Sequence, residues 1–150
     1  MLLTIVYFTS KNIYRDKERL VTDFVYDIAN YSISDLQYHE GVFPHRKSMF
    51  EKYFFDSVDN HQFFISGFDN IVYLDKRDFP SKYDTYSSIL TEYELDFRHY
   101  ESDDTWVVYI PISYDIHFSE GEIISINRQM TISLLYEDDR YYIDIVKLTY

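Results

Sequence analysis

Two hydrophobic periods divide the chain. Near the start, Leu20, Val21, Phe24, Val25 and Ile28 recur at spacings of three and four, the apolar stripe of a helix running from about Tyr14 to Tyr31. Lys17, Glu18, Arg19, Asp23 and Asp27 fall mostly on its other side. A second helix is expected to open near Pro44, since proline suits a first helical turn, to bury Met49, Phe50, Tyr53 and Phe54, and to end near Ser57. Asp59 or Asn60 can cap a short third helix carrying Phe63, Phe64 and Phe68, with Gly67 as its terminator. The segment IVYLD, 71–75, reads as a short strand before the loop around Pro80.

From Ile89 the period becomes two. Ile89, Thr91, Tyr93, Leu95, Phe97 and His99 take one face of a strand, with Glu92, Glu94, Asp96 and Arg98 on the other. Val108, Ile110, Ile112, Tyr114, Ile116 and Phe118 mark the next strand, with Pro111 out of phase, as at an edge or a bulge. Ile124, Ile126, Arg128, Met130, Ile132, Leu134 and Tyr136 mark the third. In the last, YYIDIVKLTY, the apolar phase slips between Ile145 and Val146, as a bulge requires. The turns ESDD (101–104), SEGE (119–122) and EDDR (137–140) join the strands, so the first and third share one end of the sheet. The expected fold class is α+β: N-terminal helices packed on a curved, mostly antiparallel four-stranded meander. Neither a linker nor an internal repeat interrupts it, so residues 1–150 are expected to form a single domain.

Composition narrows the function classes. Fourteen Lys and Arg against 26 Asp and Glu give a net charge of -12, which repels a phosphate backbone, so no nucleic-acid partner is expected and a basic protein partner suits the field. No cysteine excludes disulfides and thiolate chemistry. The histidines 39, 45, 61, 99 and 117 include no helical pair, and no calcium loop is present, so no metal and no cofactor is expected. The three glycines stand apart from one another, so there is no phosphate-cradling loop. The opening MLLTIVYFTSKN is too short to span a bilayer and lacks a signal-peptide pattern. The chain as written reads as soluble: cytoplasmic if complete, extracytoplasmic if cut from an anchored protein, with membrane contact only through an anchor or partner outside it.

The acidic turns admit two readings. Asp is a common turn residue, and solvation alone accounts for it. Alternatively Asp103, Asp104, Asp138 and Asp139, with Tyr100, Trp106 and Tyr141, form an aromatic acidic rim that docks a basic protein.

The segments VTDFVYDIANYSISD (21–35) and FPHRKSMFEKYFFDS (43–57), followed by the strands WVVYIPISYDIHF and ISINRQMTISLLY, resemble the NTF2-like, or cystatin-like, superfamily. Within it the layout is most similar to the VirB8-like domains of type IV secretion and conjugation machines. The resemblance implies a cone-shaped sheet, a structural role in such an assembly and oligomerisation. It departs in that VirB8-like proteins carry an N-terminal membrane helix, and NTF2-like enzymes an acid and base that find no match here.

Arg128 lies within an apolar strand face. One reading has its stem snorkel over apolar neighbours near the mouth of the sheet and its head pair with a carboxylate. The other makes it an anion-binding group in the cone, with His99, Tyr93 and Tyr114 completing a catalytic pocket. Three functions follow: a non-enzymatic interaction domain of a secretion or conjugation assembly, which leads; a small acidic inhibitor, either an immunity protein or a phage anti-defence protein; and an NTF2-like enzyme or ligand carrier.

Overall fold

A computed structural model of the protein describes residues 14–32, 52–55, 86–118 and 121–149. Helix α1 spans Lys17–Ala29, and strands β1 (Tyr31–Ser32), β2 (Tyr86–Tyr93), β3 (Asp96–Tyr100), β4 (Thr105–Phe118), β5 (Ile123–Glu137) and β6 (Arg140–Thr149) follow. The pairs among these strands are antiparallel, in the order β1-β2-β4-β5-β6, with β3 beside β4 as well. The fold is α+β, as expected, but among the described residues the sheet has six strands rather than four. The second and third helices and the 71–75 strand lie, apart from Lys52–Phe55, outside the described residues.

The helix forms where its stripe predicted it. Leu20, Val21, Phe24, Val25 and Ile28 are all buried, and Asp16 caps the N-terminus by accepting a hydrogen bond from the Glu18 amide at 3.0 Å. Asn30 ends it: its side-chain amide donates to the Tyr26 carbonyl at 2.8 Å, and its carbonyl oxygen accepts from the Leu90 amide at 2.9 Å. One side chain thus closes the helix and fastens it to β2.

The expected 89–99 strand is two strands. A bulge between Leu90 and Glu92 shifts the phase, so Ile89 pairs with Asp115 on the outer face and is exposed, while Leu90 pairs with buried Tyr114. Beyond the bulge the anticipated phase holds, with Tyr93 opposite Ile112, Phe97 opposite Val108 and His99 opposite Trp106. Strands β2 and β3 occupy one edge of β4 in succession, separated by Glu94 and Leu95.

Pro111 explains how a central strand tolerates proline. It pairs with Gln129 on β5, and on the other side its carbonyl accepts from the Glu94 amide at 3.2 Å across the β2–β3 break. The missing proline N–H points to the same side as its carbonyl, toward that break, so no regular ladder bond is lost. Pro111 is therefore at neither a sheet edge nor a bulge of its own strand. The β6 slip is real but displaced from the expected Ile145–Val146 step: Ser133 pairs with Ile145 and Leu134 with Ile143, leaving Asp144 as the extra residue.

The core lies between α1 and one sheet face. Even-numbered β4 positions from Val108 to Phe118 are buried together with Ile126, Met130, Ile132 and Leu134 of β5 and Ile143 and Val146 of β6. Tyr53 and Phe54 join them, and Phe54 bridges Ile143 in parallel. Phe24 meets both rings edge-on, at 5.4 and 6.1 Å between centroids. No helix among the described residues is long and apolar enough to cross a membrane.

Candidate functional site

The acidic turns do meet at one end of the sheet, and their backbone explains their residues. The β5–β6 hairpin closes through Asp138 and Asp139 alone, with φ of 52° and 60°, and Asp104 ends the β3–β4 turn with φ of 50°. Aspartate tolerates this left-handed region better than most side chains. Asp104 Oδ1 also lies 2.8 Å from His99 Nε2, and the Asp103 carbonyl accepts from the Thr105 hydroxyl at 3.2 Å.

The proposed aromatic rim is split between the two faces of the sheet. Trp106 and Tyr141 lie on the core side, where the Lys17 ammonium sits 4.3 Å from the Trp106 ring centroid, 5.9 Å from Tyr141 and 6.0 Å from Phe97. The Tyr141 amide donates to the Tyr14 carbonyl at 2.8 Å, and His99 rests against Trp106 at 4.8 Å. These rings hold the start of α1 to the sheet. Tyr100 is on the outer face, pairing with Thr105.

The Arg128 group is also divided. Tyr93, Ile112 and Arg128 form one row across β2, β4 and β5, and Tyr114 occupies the adjacent row. Arg128 is half-buried and its Nη1 donates to the Asn127 carbonyl at 2.9 Å; Tyr114 is 2% exposed and Tyr93 37%. His99, opposite Trp106, is six positions along β4 from Ile112, on the order of 20 Å away. The four residues therefore do not share one pocket.

A second polar network ties the described pieces together behind α1. Tyr14 donates its hydroxyl proton to Asp23 at 2.7 Å, and Asp27 accepts from both the Tyr53 hydroxyl and the Lys52 ammonium, the latter at 2.9 Å. Burial, then the hydrogen bonds to carboxylates, push both tyrosine hydroxyls well above their ordinary titration range, so they stay neutral donors.

The most organised outer-face cluster was not anticipated as a site. The Arg98 guanidinium donates to Asp96 Oδ2 from Nε at 3.0 Å and Nη2 at 2.7 Å, and lies 4.7 Å over the Tyr109 ring. The Tyr109 and Tyr100 hydroxyls are 3.0 Å apart, a bond that raises the Tyr109 titration point. Beside them an open cleft of about 510 Å³ is bounded by Glu94, Asp96, Arg98, Tyr109, Pro111 and Gln129. The sequence signal was the Asp96–Arg98 spacing, which places opposite charges side by side on a strand's polar face. Among the described residues no group of three or more His, Asp or Glu side chains could hold a metal.

No protein-family model matches the chain, and neither does any curated protein. Solved structures do match. CagV, a VirB8 homolog of the T4SS (type IV secretion system) from Helicobacter pylori strain 26695, aligns with a TM-score of 0.61 and 11% identity over 87% of this chain and 97% of its own. A periplasmic fragment of TraM aligns with a TM-score of 0.50 and 9% identity over 88% and 93%. The fold is VirB8-like. At such identities the shared feature is the path of the backbone, so any site on this VirB8-like frame is argued from its own side chains.

Proposed function

We propose that the protein is a non-enzymatic, structural interaction domain of a conjugation or type IV secretion assembly, and that the whole chain forms one such domain. The observation that carries this is the alignment with a VirB8 homolog of a type IV secretion system over 97% of that chain, which leaves little of the neighbour without a counterpart. The separation of His99 from the Arg128 row supports a non-catalytic role, because general acid and base groups must both reach one substrate. A protein partner follows from the same reading, and homo-oligomerisation suits a structural component.

The test is affinity capture with the tagged chain from its native host, washed at low and high salt. Co-purification of several subunits of a membrane-bound transfer complex is expected, together with loss of conjugative or secretory transfer when the gene is deleted. Recovery instead of one soluble basic protein, released by salt, would replace this reading with that of an acidic inhibitor.

A further inference from the structure

We infer that the free edge of β3, with the open outer-face cleft beside it, docks an extended basic segment of a partner protein as an added strand; this rests on the interaction-domain reading above. Among the described residues β3 pairs with β4 alone, so its second edge presents unpaired backbone donors and acceptors. Four of its five residues are exposed, and only Phe97 is half-buried. Such an edge is a template for another strand, with main-chain bonds giving affinity and alternate side chains giving specificity.

The cleft says what those side chains should be. Asp96 is already committed to Arg98, whose Nε and Nη2 both donate to its Oδ2, so the pair lines the cleft without net charge. Exposed Glu94 then leaves the cleft net negative, within a chain of net charge -12. Tyr109 and Pro111 supply flat apolar surface for the stem of a lysine or arginine whose head reaches Glu94. The required pattern is alternation: basic residues toward the cleft and apolar ones toward Phe97 on the other face. A second copy does not offer this pattern at the same edge: its own β3 carries one guanidinium, that of Arg98, already paired with Asp96.

The test uses the complete chain, isotope-labelled, titrated with a short peptide alternating lysine and valine while backbone amide shifts are followed. Amide shifts confined to 94–100, 109, 110 and 112 are expected, with binding about tenfold weaker for a glutamate–valine peptide of equal length. A lysine–valine peptide with alternate backbone N-methyl groups keeps its charge but loses strand pairing, and should also bind about tenfold more weakly. Tyr109→Ala should weaken binding severalfold while lowering the melting temperature by only a few degrees, because the ring lies on the outer face and its contacts with Arg98 and Tyr100 are part-exposed. Shifts centred on the turns at 101–104 and 137–139, equal binding of the N-methylated peptide, or β3 shifts that follow protein concentration alone would each overturn the inference. The last would mean that a second copy fills the edge. Capture of transfer-complex subunits by the Tyr109→Ala chain at wild-type yield would also sink this surface, while leaving the assembly reading intact.

Discussion

The two faces of the β3–β4–β5 ladder share a backbone and differ in what they do. On one, Val108 and Ile110 of β4 meet Ile132 and Met130 of β5, all buried against the helix side. On the other, one residue out of step, the contacts are polar: Ser113 to Asn127 at 2.6 Å, Ser125 to Asp115 at 2.7 Å, and Tyr109 to Tyr100 at 3.0 Å. Apolar area removed from water is concentrated on the first face, so stability is too. The second face is free to vary in chemistry without unfolding the sheet. Stability and recognition are thus separated by strand parity, and the parity of a position predicts which of them a substitution disturbs.

The strongest way to break that comparison is a pair of adjacent substitutions on β5. Ile132 is fully buried and lies between Val108 and Val146 in the ladder, so Ile132→Ala should cost about 3 kcal/mol through lost transfer energy and the cavity left behind. Thr131→Ala, the neighbouring position on the outer face, should stay within about 0.5 kcal/mol of the wild type. Urea denaturation at constant m-value checks both, and equal costs would remove the distinction between the faces.

The strand parities were legible because side chains alternate strictly and the buried face is almost wholly apolar. The helix stripe was legible for the same kind of reason. What the sequence hid was where a phase breaks. The bulge at Leu90–Glu92 leaves the run from Ile89 to His99 alternating on paper while Ile89 turns outward, and the slip in β6 falls at Asp144, ahead of the Ile145–Val146 step. Long-range partners were hidden too. Lys17 reads as a polar-side helix residue, yet its ammonium finds rings contributed by β3, β4 and β6. The rim residues lie towards one end of the sheet, but Tyr100 and Trp106 fall on opposite faces, a difference set by which residue of each strand pairs across the four-residue turn 101–104.

A smaller effect sharpens the comparison at the core-side edge of the acidic end. Lys17 is the first residue of α1, where the helix dipole disfavours a cation, so its position there depends on the aromatic surroundings. Lys17→Met keeps the stem and removes the charge. It should lower stability by about 0.5–1 kcal/mol, the cation–π gain less the relieved dipole cost. In a Trp106→Leu background the same substitution should be close to neutral, and a cost unchanged by the loss of the indole would assign Lys17 to plain packing.

The smallest expected effect lies where parity itself fails. Asp144 is the extra residue of the β6 bulge, with no partner opposite it on β5, and its half-burial raises the carboxyl titration point above the ordinary aspartate range. A raised folded-state value means that folding favours the protonated acid: that contribution is complete below the unfolded value of about 3.9 and is lost as pH rises through the folded value. At neutral pH the folded chain therefore carries a partly desolvated carboxylate that the unfolded chain does not. Asp144→Asn preserves the shape without the charge and should raise the melting temperature at pH 7, by on the order of 1 °C because the side chain still touches water. The advantage should fade as the pH is taken below about 4, where the wild-type acid is neutral in both states. An advantage that persists undiminished in acid would show that the amide improves a hydrogen bond at the bulge, and that residue 144 belongs chemically to the polar outer face after all.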